Sequence, residues 1–125
     1  MRGPKQPALN PTRERRITDE IVVDAYGEAE RAMSWHCYLD EQLVFPFKAR
    51  CIAIRTISPL TKGEEVEVLS MAHADECMRE MFVLVRFAGR KLGVPLSQLE
   101  PVVSKGAARR AVEDWRYWVA MGYEF

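Results

Sequence analysis

The chain has 125 residues, enough to bury one hydrophobic core but too few for two independent ones. Apolar residues make up 48% of it, and 18 basic side chains balance 18 acidic ones, which excludes an intrinsically disordered chain. No apolar run approaches the length of a membrane span, and the N-terminal residues lack the apolar stretch of a secretory signal. We therefore expect a globular cytoplasmic protein without a membrane partner.

The charge is unevenly distributed along this neutral chain. Residues 1–16 carry a net charge of +4 and residues 17–125 a net charge of −4. The first segment also contains three prolines and few apolar side chains, so it cannot bury enough surface to offset the entropy of ordering. We expect 1–16 to be a disordered basic arm and 17–125 to be a single domain. Such an arm is more often solvated than bound to phosphate, so nucleic acid is not an expected partner.

Two helices are predicted in the first third of the domain. Thr18 has the hydroxyl of a helix cap, and apolar residues then recur at three- and four-residue steps, with Gly27 dividing a short helix near 19–26 from a longer one near 28–43. Asp24 and Glu28 lie near this break, and Asp40 and Glu41 lie near the predicted helix end. Carboxylates that converge at such places are candidate cation ligands; the alternative is that they are solvated surface charges.

Strands follow a proline that ends the second helix. Alternating apolar residues predict strands from Phe45 to about Thr56, from Val66 to about Met71, and in a hairpin from Met81 to Leu96 that turns at Gly89. A helical turn at 97–100 leads to a short strand at 101–103, and an aromatic-rich helix at 108–121 closes the domain. The pattern predicts an α+β fold: a small, strongly bent antiparallel β-sheet, or Src-homology-3-like barrel, packed by N-terminal and C-terminal helices.

Few motifs of catalysis or metal binding are present. The sequence has no glycine-rich phosphate loop, no nucleophile elbow and no thiol pair spaced for zinc, so we do not expect an enzyme. His73 and Cys77 are four residues apart and, with Cys37 or Cys51, are the alternative as a transition-metal site. The EF-hand pattern is also missing, so a calcium site would have to be assembled from separate segments.

Several runs together resemble a known family. These are EIVVDAYGEAERAMSWHCYLDEQLVFPFKARC, SPLTKGEEVEVLSMA, ECMREMFVLVRFAGRKLGVPLSQLEPV and AVEDWRYWVAMGY. They span about residues 17–123, in order and spacing, and resemble the small bacterial calcium-binding proteins of the CcbP type. The family is similar in size and in its helix-plus-barrel architecture, and it binds calcium through surface acidic side chains rather than EF-hands. Its members tend to be more acidic than this chain.

The resemblance implies a calcium-ion buffer or sensor, with calcium as cofactor and with a protein partner not identified. Asp40 with Glu41 is the first choice of ligands, and Asp24 with Glu28 is the second. The rival interpretation from the residues alone is a protein- or RNA-interaction module built on a small barrel, or the Cys/His transition-metal site described above.

Overall fold

A computed structural model describes residues 6–102 and 106–125, in which two helices precede the five strands of one sheet and a third helix follows them. The helices are α1 (Pro11–Arg16), α2 (Glu28–Gln42) and α3 (Gly106–Ala120), and a π-helical turn over Ile17–Ile21 continues α1. The strands are β1 (Phe47–Cys51), β2 (Glu65–Met71), β3 (Phe82–Phe87), β4 (Arg90–Pro95) and β5 (Leu99–Pro101). Short 3-10 helices span Ala74–Cys77 and Leu96–Gln98. The predicted α+β class is confirmed.

The five strands form an antiparallel sheet in the order β4-β3-β2-β1-β5. In this order β4 and β5 are the edges, so among the described residues the sheet is open and the predicted barrel does not close. The central hairpin follows prediction: Val83 and Val85 are fully buried, and Ala88 and Gly89 turn the chain with φ angles of 51° and 76°. Two successive positive φ angles are typical of a two-residue hairpin turn.

The core lies between the sheet and the two long helices. Trp35 of α2 meets Trp115 of α3 with ring centroids 5.0 Å apart at 70°, and both indole rings are buried. Trp118 packs on the same Trp35 ring at 5.6 Å. Edge-on aromatic pairs of this kind add to the free energy gained by burial. This packing fixes the orientation of α2, and therefore of the acidic residues at its two ends.

The first helix corrects the expectation of an arm that is disordered throughout 1–16. Asn10 caps α1 by accepting the backbone N–H of Arg13 at 3.0 Å, and Pro11 occupies the first helical turn, where a missing N–H costs nothing. Arg13 and Arg16 then reach the buried Asp114 of α3. Residues 11–16 are thus part of the folded body, while 1–5 lie outside the described residues.

Other boundaries differ from the predicted ones. Thr18 lies within the π-helical turn rather than at a helix start, and residues 22–27 form a turn and loop. Strand β1 ends at Cys51 instead of continuing to Thr56, and Ile54, beyond the end of the strand, is 64% exposed. The short strand predicted at 101–103 is β5, observed at Leu99–Pro101; Val103 lies outside the described residues.

Candidate functional site

The four acidic residues predicted as metal ligands lie at opposite ends of α2. Asp24 and Glu28 flank its first turn, and Asp40 and Glu41 belong to its last turn. At 1.5 Å rise per residue, the twelve positions from Glu28 to Asp40 span about 18 Å. Ligands of one calcium ion each lie about 2.3–2.6 Å from it. The two pairs therefore cannot share an ion, and each has to be considered as a separate site.

The C-terminal end of α2 presents two exposed and unneutralised carboxylates. Asp40 and Glu41 are both exposed, the last turn of α2 contains no basic residue, and neither side chain forms a salt bridge with any described residue. The end of a helix already carries partial negative charge from its unpaired carbonyls, so acidic side chains there are unfavourable by about 0.3–1 kcal/mol each. A bound cation would relieve this repulsion.

The N-terminal end of α2 is electrostatically different. There the helix dipole is positive and favours carboxylates without a metal ion. Glu30 also uses its Oε1 to accept the backbone N–H groups of Tyr26 and Gly27, each at 3.1 Å. The hydroxyl of Tyr26 donates to Oδ1 of Asp24 at 3.2 Å. Asp24 and Glu28 are exposed, but their surroundings need a cation less than the other end of the helix does.

The densest acidic run in the sequence is largely neutralised in the structure. Arg50 pairs with Glu65 at 3.1 Å across β1 and β2, and Arg86 pairs with Glu67 at 3.4 Å across β2 and β3. Glu64 accepts the backbone N–H of Thr61 at 3.0 Å, within the turn that precedes β2. These carboxylates already have partners, so a high local density of acids in the sequence does not by itself mark a cation site.

The alternative Cys/His site is not assembled. Within residues 6–102 and 106–125, no three His, Cys, Asp or Glu side chains are grouped closely enough to hold a metal ion. Cys77 and Cys51 are buried and hydrogen bonded to backbone groups, whereas His73 is exposed and its Nδ1 accepts the backbone N–H of Asp75. Burial raises the pKa of the Cys77 thiol, which disfavours the thiolate that a metal would require. Because no three such side chains are grouped among the described residues, a calcium site must take part of its oxygen ligands from backbone carbonyls and water.

Sequence reasoning missed the most elaborate polar network, which is centred on Asp114. This fully buried carboxylate accepts hydrogen bonds from Arg13 Nη1 at 2.8 Å, from Arg16 Nε and Nη2 at 2.8 and 2.7 Å, and from the Tyr38 hydroxyl at 3.2 Å. Its hydrogen bond raises the pKa of Arg16, while burial, followed by the charge of Asp114, raises that of Tyr38. The signal was present in the sequence: Asp114 lies on the helical stripe of Ala111, Trp115 and Trp118, where an unpaired charge is not tolerated.

A second set of contacts joins α1 to the C-terminal part of the chain. Glu14 Oε2 accepts the hydroxyls of Tyr117 at 2.6 Å and Tyr123 at 2.7 Å. Hydrogen bonding to Glu14, followed by burial, raises the pKa of Tyr123 to about 12. With Arg13 and Arg16 committed to Asp114, two of the basic side chains that suggested attraction to nucleic acid are bound internally. The RNA-binding interpretation loses much of its basis.

Comparisons with known proteins agree with this architecture. A family model for calcium binding, labelled CcbP, matches residues 15–119. The crystal structure of Anabaena CcbP superposes with a TM-score of 0.83 at 39% identity, covering 95% of this chain and 98% of that one. A structure described as a calcium binding protein in the calcium-binding form gives a TM-score of 0.82 at 39% identity, covering 93% and 95% of the two chains. No protein with a curated description matches significantly.

Among the described residues, no helix is long and apolar enough to cross a membrane.

Proposed function

Because the chain belongs to the CcbP family of calcium-binding proteins, we propose that it binds Ca²⁺ through Asp40 and Glu41 at the C-terminal end of α2. One observation carries the choice of this end. The two carboxylates are exposed, have no salt-bridge partner among the described residues and lie where the helix dipole is negative. The acidic pairs on the sheet, in contrast, are already matched to arginines.

The ligands available there suit calcium. Ca²⁺ takes six to eight oxygen ligands in flexible geometry and accepts carboxylates, backbone carbonyls and water together. The last carbonyls of a helix have no intrahelical partner, so they are available as ligands at the same end of α2 as the two carboxylates. Neighbouring helical positions diverge by about 100° around the axis, so the site is loosely organised. We expect a dissociation constant of roughly 10⁻⁵–10⁻³ M, weaker than that of a caged site.

Asp24 and Glu28 form the second candidate site. They are exposed at the other end of the same helix, about 18 Å away. Because the helix dipole there opposes a bound cation, we rank this pair lower, and any ion at this end would bind independently of the first.

The response of α1 distinguishes a sensor from a buffer. Tyr38 lies two residues before Asp40 on α2 and donates to Asp114, which holds Arg13 and Arg16 of α1. A sensor would transmit calcium binding along these contacts, and amide chemical shifts in residues 11–17 would change with those of 39–43. A buffer would show shifts confined to the end of α2.

Calorimetric titration of Ca²⁺ into metal-free protein tests the proposal. Combined Asp40→Asn and Glu41→Gln substitutions should weaken binding at least about tenfold, the loss of roughly 1.4 kcal/mol. The matched control combines Glu65→Gln and Glu67→Gln, which also removes two negative charges that are about half exposed, but these charges are paired with arginines. If both double variants weaken binding equally, calcium is responding to net charge rather than to a site at α2. If wild-type protein shows neither heat nor amide chemical-shift changes at millimolar calcium, the function is refuted.

A further inference from the structure

An exposed apolar patch lies at the start of α2, beside the turn that precedes it. Tyr26 is 80% exposed, Val23 49% and Met33 45%, so each leaves a large share of an apolar side chain in water. Grouped apolar exposure of this kind often marks an interaction site. We call these three residues, together with Asp24 and Glu30, the Tyr26 patch. Nothing in the fold requires a tyrosine to be this exposed, since its only side-chain hydrogen bond to a described residue is to Asp24.

Three residues of the patch, Asp24, Glu30 and Met33, line a shallow groove between the turn and the helix. The groove has a volume of about 340 Å³ and is lined by Asp24, Ala25, Ala29, Glu30, Met33 and Ser34. Its lining therefore combines small apolar side chains and a methionine with two carboxylates. This combination is complementary to a side chain that is apolar along its stem and positively charged at its end.

Hydrogen bonds hold the turn beside the groove in shape. Glu30 Oε1 accepts the N–H groups of Tyr26 and Gly27, each at 3.1 Å, and the N–H of Ala25 donates to the carbonyl of Val22 at 3.1 Å. A surface that is already ordered loses little conformational entropy when a partner binds, so weak individual contacts there can still add up to useful affinity.

We propose that the Tyr26 patch docks a basic, amphipathic segment of a partner protein. The charge of the surface selects this occupant. Asp24 and Glu30 line the groove, while Arg31, the nearest base in the sequence, donates its Nε to the backbone carbonyl of Phe125 on another part of the fold. A lysine or arginine of the partner would lay its methylenes on the groove floor, place its cation between the carboxylates and lie over the Tyr26 ring.

Other occupants fit the same surface less well. A second copy of the chain, paired through a twofold axis, would bring each set of carboxylates against itself, and like charges across an interface are costly. An anionic lipid surface would be repelled for the same reason. A basic peptide is attracted to the carboxylates of Asp24 and Glu30, and this attraction has to exceed the opposing dipole at the start of α2.

The proposal does not depend on calcium binding at Asp40 and Glu41, which lie at the other end of α2. It predicts competition only if calcium also occupies Asp24 and Glu28. The two proposals can therefore fail independently, because peptide binding tests docking and calcium titration tests the metal site.

The test uses the full chain and a fluorescently labelled peptide of lysine and leucine, with a glutamate–leucine peptide as the charge-reversed probe. We expect saturable binding of the lysine peptide, with amide shifts centred on residues 22–34. Combined Tyr26→Ala and Met33→Ala substitutions should weaken binding at least about tenfold, as loss of an interface hot spot does. The matched control combines Ile54→Ala and Ile57→Ala, which removes two exposed apolar side chains on another loop and should leave the affinity unchanged.

Three results would overturn the proposal: equal losses in the two double variants, shifts centred outside 22–34, or comparable binding of the glutamate peptide. Concentration-dependent sedimentation of the protein alone, abolished by Tyr26→Ala, would instead identify a second copy as the occupant and also reject it. Met33→Lys provides an independent variant, since lysine is a good helix former at this exposed position. It places a positive charge in the groove and should reduce lysine-peptide binding without changing the far-ultraviolet circular dichroism of the protein.

Discussion

Replacement of Asp114 by asparagine should be one of the most destabilising near-isosteric changes in this protein. Asp114 is fully buried and accepts four hydrogen bonds, three of them from the guanidinium groups of Arg13 and Arg16. Asparagine keeps the shape of the side chain but removes its charge. Its NH₂ group is also a hydrogen-bond donor, so it would face the N–H donors of the two arginines. Breaking a buried ion pair in this way costs about 3–5 kcal/mol.

The exposure of the two arginines narrows the expected loss in the free energy of unfolding. The arginine side chains are 20% and 15% exposed, so after the substitution they can turn partly toward water. We therefore expect the low end, about 3 kcal/mol. For a domain of this length that corresponds to a fall in melting temperature of roughly 12 °C. The variant should still fold, because domains of this kind are stable by about 5–15 kcal/mol.

Urea unfolding, monitored by tryptophan fluorescence, measures the loss in the free energy of unfolding, since Trp115 adjoins the substituted residue. Hydrogen exchange at residues 11–17 shows whether α1 detaches before the core unfolds. The control is Glu113→Gln at the preceding residue. It removes two partly exposed salt bridges, with Arg109 at 3.2 Å and Arg13 at 3.8 Å. Surface pairs of this type contribute about 0–1 kcal/mol. If Asp114→Asn costs no more than this control, the network does not hold α1 to the domain.

Three further outcomes are expected from single sites. The hydrogen bond to Glu14 raises the pKa of Tyr123 from 10.0 to about 12, so the stability it contributes is present below pH 10 and lost as the pH rises through 12; Tyr123→Phe should shrink this alkaline phase in urea midpoints to the part contributed by Tyr38 and Tyr117, whose pKa values are also raised, and an unchanged phase would contradict the assignment. Ala88 has a φ of 51°, which is strained for a residue with a Cβ, so Ala88→Asn should stabilise the hairpin by about 0.5–1 kcal/mol; a lower thermal midpoint would argue against the observed turn. Cys37 is exposed while the other two cysteines are buried, so a thiol reagent should modify Cys37 quickly and the others only on unfolding, and three equal rates would contradict the fold.

The local elements were predictable because their signals are local. The alternation of Val83 and Val85 and the glycine at the turn determine the β3–β4 hairpin within a dozen residues. Helix α2 is likewise determined by its own apolar stripe and by the proline that follows it. Whether the sheet closes depends on how its two edges meet, which no short stretch encodes, and the predicted barrel is therefore an open sheet.

Helix α1 was missed because its stability comes from the other end of the chain. Residues 10–16 are polar, and seen alone they cannot offset the entropy of ordering. Asp114 and Glu14 change that balance through contacts about a hundred residues apart in sequence. The acidic residues illustrate the same limit: Glu65 and Glu67 formed the densest cluster in the sequence, yet cross-strand arginines neutralise them. Asp40 and Glu41 at the end of α2 form no salt bridge with a described residue, and only these surroundings distinguish them.

A crystal structure of the protein grown with calcium tests the central claim most directly. The account predicts an ion at the C-terminal end of α2, with carboxylate oxygens of Asp40 and Glu41 and backbone carbonyls at about 2.3–2.6 Å. An ion held elsewhere, with Asp40 and Glu41 free in solvent at saturating calcium, would contradict it.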